Sequence, residues 1–304
     1  METLETLGKR IATTRDLQSI VRTMKSLSAV SIRQYEQAVA ALIGYNRTIE
    51  LGLQVLLREA PLPDAATAQP DLRTAAIVFG SDHGLCGRFN EQISGFAHTE
   101  MQKRVTFAKD RTYLAVGFQI ASRLKAMDES IDECLYLPGS ASGLTATAHA
   151  ILLKIDAWQA DCGIGQILLF HNAHSSEATA SPVMVQLLPL DARWLQSLSE
   201  RRWPSRVLPT HTMESQALFS SLIREHLFIS IFRAGAESMA SEHATRLASM
   251  QTAERNIQEH LDEMSGAFRR RRQQAITEEL LDVVAGFETL TTAGTAAKSD
   301  TDHT

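Results

Sequence analysis

The sequence predicts an α/β protein in which the two ends of the chain form a long antiparallel two-helix coiled coil and the middle forms an inserted α/β domain. Three observations carry that expectation. Residues 213–290 hold no proline and only three glycines, Gly235, Gly266 and Gly286. Their apolar positions Leu222, Ile229, Phe232, Ala236, Met239, Leu247, Met250, Ile257, Leu261, Met264 and Phe268 recur mostly at steps of three, four or seven, the period of one helix presenting one seam. Residues 1–58 behave in the same way. Between these segments, short wholly apolar runs alternate with amphipathic stretches, the pattern of a mainly parallel sheet with crossover helices.

The first segment, 1–58, carries a stripe that includes Leu7, Ile11, Leu17, Val21, Leu27, Tyr35, Ile49, Leu53 and Leu56, with Gly44 as the place for a bend. At about 1.5 Å per residue it would run roughly 80 Å and the last helix roughly 110 Å. Each needs a partner along its length, and the two are expected to bury their seams only against each other. Leu62–Asp71 is rich in proline and small polar residues and reads as a linker. The domain at 72–205 follows. Thr74–Gly80 reads as a strand buried on both faces, Thr112–Gly117 as a second and Asp132–Leu137 as a weaker third. Ser142–Trp158 reads as a helix with Ser142 as N-cap, and Gly165–Asn172 and Ser181–Pro189 as two successive strands. Trp194–Pro209 reads as irregular. The C-terminal helix at 213–290 is followed by a tail at 291–304, small, polar and expected to be disordered.

Composition narrows the function. Of 304 residues, 44% are apolar and only 6% aromatic, and 35 acidic residues outweigh 30 basic ones for a net charge of −5. Nucleic acid, which wants a basic face, is not the expected partner. Cys86, Cys134 and Cys162 are widely spaced with no CxxC, so neither a disulfide framework nor a zinc site is indicated. No run approaches 18 apolar residues, so no direct membrane insertion is expected and any membrane role is peripheral.

Few residues suggest chemistry. Gly80–Gly87 is a glycine-rich turn between a strand and a helix, which can offer backbone N–H groups to a phosphate or serve as a tight turn. It matches neither the dinucleotide nor the P-loop pattern. Cys86 beside His83 offers a thiol and a base without a third group to orient them. His171 and His174 flank a strand end, but no third metal ligand is implied. Arg269, Arg270, Arg271 and Arg272 span a full helical turn. They read either as a solvated face or as a ring that an acidic partner surrounds, because one seam cannot hide all four.

Three collinear segments carry a resemblance. Arg10-Ile11, Gln18-Ser19-Ile20 and Met24-Lys25 are similar to RI…TQKIT..MK; Ser81–Asn90 (SDHGLCGRFN) is similar to SD(R/K)GLCGGFN; and Ser241–Ala244 with Arg246, followed by Arg272-Gln273, Ile276-Thr277 and Glu279-Leu280, is similar to SE.A.RM.AM and RQ..IT.EL. Over Leu4 to about Leu290 the chain resembles the gamma subunit of rotary F-type ATP synthases. The resemblance implies a central shaft, an antiparallel coiled coil with a Rossmann-like foot. That shaft turns inside three alpha and three beta subunits on a foot shared with epsilon and the c-subunit ring, at the cytoplasmic face of the inner (plasma) membrane. It also implies a non-catalytic chain without a cofactor, the ATP chemistry lying on beta.

By matching position, the resemblance assigns head and shaft contacts to Met24, Lys25, Arg246, Arg272, Gln273, Thr277 and Glu279, to which Arg269, Arg270 and Arg271 are joined by the ring reading. It assigns a c-ring contact to Tyr45 and the family loop to Ser81, Asp82, Gly84, Leu85, Cys86, Gly87 and Asn90. His83, Arg88, Gly44, Ser31 and Leu208 depart from the family pattern and mark a divergent member. A nucleotide-binding enzyme or regulator using the 81–90 loop is the competing reading, and a self-dimerising coiled-coil scaffold a third.

Overall fold

A computed structural model describes residues 3–59, 73–173 and 180–299. The expected linker, Leu62–Asp71, falls wholly outside these residues, as does His174. Helix α1 spans Leu4–Glu59 and runs unbroken through Gly44. The α/β segment comprises β1 (Arg73–Phe79), α2 (Phe89–Arg104), β2 (Arg111–Val116), α3 (Phe118–Lys125), β3 (Ile131–Leu135), α4 (Leu144–Asp161), β4 (Ile164–Ala173) and β5 (Ser181–Leu188), then α5 (Ala192–Glu200). Helix α6 spans Ser215–Ser299. By packing the chain divides into two units, 25–249 and the paired ends 1–24 with 250–304.

In the larger unit five strands form one sheet in the order β3-β2-β1-β4-β5. The first four are parallel and β5 is antiparallel to β4, as crossover helices and one hairpin connection require. One face packs on α2 and α3 through Ile93, Ala97, Met101, Ile120 and Leu124. The other packs on α4 and also on α6, whose Leu227, Ile231 and Ala234 join the core of Phe79, Leu152 and Leu169. The expectation that the terminal helices bury their seams only against each other therefore fails here. A half-buried helix can serve two neighbours when its apolar stripe is wide, and Gly235 allows the approach: a Cβ there would lie 3.1 Å from Phe79 and from Leu144. The α1–α6 pairing in this unit is antiparallel, with Gly52 facing Leu222 and Tyr35 stacked on His243 at 5.8 Å.

In the smaller unit the same direction holds. Gly8 faces Phe268, Gln18 Nε2 donates to Gln258 Oε1 at 2.9 Å, and Arg22 Nε donates to Glu254 Oε1 at 2.8 Å. Leu7, Ile11 and Leu261 form its core. The apolar stripe is buried here at Leu7, Ile11 and Val21, but it breaks at Leu17, which is 49% exposed while Gln18 is buried. Gln18 can enter because Gln258 Oε1 accepts from its amide, while Gln258 Nε2 donates onward to Asp262 Oδ1 at 3.1 Å.

Three further expectations are corrected. Trp194–Glu200 is helical within α5, capped by Asp191, whose Oδ1 accepts from Arg193 N at 2.9 Å; Leu195 and Leu198 bury against Leu53 and Ile229. Ser142 does not cap α4. Gly143 occupies that position, and Ser142 Oγ instead bonds Ser140 Oγ at 3.0 Å. The tail expected to be disordered from residue 291 is helical through Ser299, because 291–299 hold no proline and elongation adds a hydrogen bond for each residue fixed.

Candidate functional site

The larger unit brings two of the three motif segments together. β1 ends at Phe79, and the chain turns through Gly80–Arg88 before α2 begins. The turn is held from inside. Ser81 N donates to Asn90 Oδ1 at 2.9 Å, and Asn90 Nδ2 donates to Ser81 Oγ at 2.7 Å, whose hydroxyl donates to the His83 carbonyl at 2.8 Å. Leu85 and Gly87 adopt φ of 64° and 56°, the left-handed region that glycine enters freely and leucine does not. Leu85 stands exposed at the tip while Cys86 is buried behind it.

Asp82 fastens this loop to the sheet edge. Its Oδ1 accepts from Phe118 N at 2.9 Å, at the start of α3, and its Oδ2 accepts from Leu137 N at 2.8 Å, just beyond β3. A carboxylate at a helix N-terminus is favourable through both the free N–H groups and the helix dipole. Asp82 thus fills the N-terminus of α3, an end that could otherwise receive an anion. Gly80 leaves no slack: a Cβ there would lie 2.3 Å from Ile120 Cβ and 2.8 Å from Asn90 Oδ1. Gly80→Ala is expected to lower stability by about 1–3 kcal/mol, the usual cost of overpacking. A thermal melt that leaves the midpoint unchanged would contradict this close fit.

The outer side of the loop lies on α6. Gly84 O accepts from Arg246 Nη2 at 3.4 Å, and a Cβ on Gly87 would stand 3.2 Å from Ser249 Oγ. Arg246 also pairs with Glu242 one turn earlier. Burial raises the Glu242 carboxyl above its ordinary range while Arg246 pulls it down. Burial also holds His243 down to about 4, with Arg246 adding to the effect, so this histidine is neutral in the folded chain at pH 7. Tyr35, stacked on it, is pushed up to about 12 by burial and by Glu242.

Such a junction is built to brace, not to react. Burial raises the Cys86 thiol above its ordinary range, the opposite of an activated nucleophile, and its Sγ meets the His83 carbonyl rather than the imidazole. His171 Nε2 lies 3.0 Å from Glu237 Oε2. Among the described residues no group of three His, Cys, Asp or Glu could hold a metal, and no helix is long and apolar enough to cross a membrane.

The structure separates the remaining site residues into distinct environments. Arg246 is 8% exposed and engaged within the chain by Glu242 and Gly84; the SE.A.R spacing could not reveal that its guanidinium reaches Gly84. Met24 and Lys25 are half-buried on α1, and Arg269, Arg270, Arg271, Arg272, Gln273, Thr277 and Glu279 are all exposed on α6. In the smaller unit, the Gly8–Phe268 contact places Leu4, the first residue of α1, level with Arg272. Beyond that point α6 has no α1 residue opposite it. There Ile276, Leu280, Leu281, Val283 and Val284 are exposed. Tyr45 is exposed, and its hydroxyl donates to Glu225 Oε2 at 2.8 Å. The Arg22–Glu254 bond went unread because single-helix patterns give no register between helices.

Comparison with known proteins agrees with this arrangement. The family model described as ATP synthase matches residues 3–290. The chain is 27% identical over 302 residues to the ATP synthase gamma chain of Geobacter metallireducens, covering 95% of this chain and 99% of that one. It is 28% identical over 308 residues to that of Anaeromyxobacter sp. (strain K), covering 95% and 100%. Among solved structures it is similar to a chain of the Euglena gracilis mitochondrial ATP synthase, OSCP/F1/c-ring, in rotational state 3. That match has a TM-score of 0.63 at 17% identity over 96% of this chain and 95% of that chain. A chain of the Tetrahymena thermophila mitochondrial ATP synthase central stalk and c-ring matches with a TM-score of 0.55 at 18% identity, over 77% and 99%. A model matched over nearly the whole length, relatives covered end to end and a shared fold lead to one conclusion: the chain belongs to the ATP synthase family, among its gamma chains.

Proposed function

We propose that this chain is the central shaft of a rotary ATP synthase, turning inside an alpha3beta3 head and carrying rotation between a c-subunit ring and catalytic sites that lie on beta. The chain itself is non-catalytic in this reading, and it sits peripherally at the cytoplasmic face of the membrane. The observation that carries it is the contrast between the two motif regions. The 81–90 loop is consumed by internal bonds from Asp82, Asn90 and Arg246, while α6 exposes Arg269–Arg272 and, past Arg272, a run of apolar side chains with no α1 opposite. An unpaired, partly apolar helix end calls for a sleeve made by other chains. Rotation would then favour a different conformation at each surrounding site in turn.

Tagged chain recovered from its host and weighed intact by native mass spectrometry is expected as one copy with three alpha and three beta subunits. Recovery as a symmetric homodimer would sink the proposal. Titration of the isolated chain with ATP is expected to show no saturable heat, and micromolar binding would restore the nucleotide-enzyme reading.

The contacts assigned to Met24, Lys25, Arg269, Arg270, Arg271, Arg272, Gln273, Thr277 and Glu279 toward the head, and to Tyr45 toward the c ring, belong to the same proposal. Replacing Arg269–Arg272 together by glutamine is expected to slow turnover of the assembled complex at least tenfold, because charge-assisted contacts of about 1.5–3 kcal/mol would be lost. Unchanged assembly and turnover would return those arginines to solvent.

A further inference from the structure

One pocket of the larger unit is used neither by the loop junction nor by the α1–α6 pairing. It lies between one face of α1 and the C-terminal end of α5, with a volume of about 350 Å³. Its polar rim carries three guanidinium groups, Arg47, Arg201 and Arg202, against one carboxylate, Glu50. Glu50 is already engaged, its Oε2 accepting from Arg201 Nη1 at 2.9 Å. The walls are apolar: Ile43 and Leu51 from α1, Leu198 and Pro204 from the α5 side.

The pocket is held open by bonds beneath it. The buried Gln54 side chain donates through Nε2 to the Arg201 carbonyl, and Arg58 Nη2 donates to the same oxygen at 2.6 Å. Arg58 Nε reaches the Ser199 carbonyl at 3.4 Å. These bonds satisfy carbonyls that the end of α5 leaves without a helical partner. They also fix the backbone from which Arg201 and Arg202 project. Without them the two arginines would sit on an untethered chain, and the ordering entropy of long side chains would oppose binding.

We propose that this pocket binds a phosphate-bearing anion. Guanidinium forks match the geometry of phosphate oxygens better than that of a point charge, and one neutralised carboxylate leaves two positive charges in surplus. The apolar walls suit a phosphate carrying a short organic group, as in glycerophosphate or the headgroup of an anionic phospholipid. Ile43 is 70% exposed at the rim, where the first carbons of an attached chain would lie.

The full-length chain is tested with two probes. Co-sedimentation with phosphatidylcholine vesicles, with and without phosphatidylglycerol, reads the lipid source. Titration with glycerol 3-phosphate reads the soluble one. Binding to at least one probe is expected, falling about tenfold or more in an Arg47→Gln/Arg202→Gln variant and weakening with added salt. Both arginines are exposed, so an unchanged melting midpoint certifies that the variant folds. The chain with Arg269–Arg272 replaced by glutamine is expected to keep this binding, which separates the pocket from the other basic site. An Ile43→Asp variant that loses vesicles while keeping glycerol 3-phosphate identifies the lipid; loss of neither identifies the soluble anion. The proposal is overturned if neither probe binds, or if the double variant binds both as the parent does.

Discussion

Replacing Arg246 by leucine is expected to destabilise the larger unit by about 3–5 kcal/mol, because it removes one partner of a buried ion pair and strands the other. Glu242 is buried, and the guanidinium of Arg246 is the cation that meets it. The same change withdraws the donor from the Gly84 carbonyl, so the 81–90 loop loses its tie to α6. A second variant separates these effects. Changing Glu242 to leucine together with Arg246→Leu takes away both charges, and most of the lost stability should return. If the double variant is as unstable as the single one, the loop tie outweighs the charge pair.

The pH dependence has a definite sign. Burial raises the folded-state pKa of Glu242 above its ordinary value, and Arg246 opposes that rise. A carboxyl raised on folding binds its proton more tightly in the folded chain, so the stability it contributes is present at low pH and lost as pH rises through the folded value. Without Arg246 the upward push is unopposed. The gap between Arg246→Leu and the parent should therefore be widest near pH 7 and narrow as pH falls toward the ordinary glutamate range. Denaturant melts at several pH values read it directly, and a gap independent of pH would remove Glu242 from the account.

The elements most legible in the sequence were those fixed by period alone. β1 is apolar at nearly every position because both sheet faces are covered, and its Ala75–Phe79 core is fully buried. The two terminal helices announced themselves by a sustained helical period without proline. What the period could not give was rotation about the helix axis. Leu17 and Gln18 differ by only about 100° around α1, and the helix turned the amide inward, where Gln258 could satisfy it. α5 was missed because a nine-residue helix offers only two buried leucines, too short a run for its period to stand out from a loop.

The loop junction was half legible. The motif placed Asp82, Gly84 and Asn90 in one turn and Glu242 and Arg246 on one helix face, one turn apart. It could not show that the turn and the helix meet, since the residues are about 160 positions apart in the chain. Nor could it show that Asp82 caps α3, whose first residue carries no sequence signal for a distant carboxylate. The exposure of the four arginines followed from helix geometry, because four consecutive residues cannot share one buried face.

Ile257→Pro carries the largest expected effect on the working complex. Ile257 is half-buried in the smaller unit, packed on the cluster of Leu7, Ile11 and Leu261. Proline there removes the amide that would donate to the Ala253 carbonyl, and its ring collides with that carbonyl, at a cost of about 3 kcal/mol or more and with a kink. A shaft transmits torque only while its helices stay paired, so ATP-driven ion pumping by the assembled complex should be lost even where ATP hydrolysis survives. The larger unit, 25–249, should keep its own melting transition, since position 257 lies outside it. Ile257→Ala is the control. It removes side-chain packing but keeps the amide and the helix, so pumping should persist at reduced stability. Proline-specific loss of pumping would assign the effect to the backbone of α6. Normal pumping by Ile257→Pro would mean that rotation does not pass through an intact helix at this level, and the rigid-shaft reading would have to be abandoned.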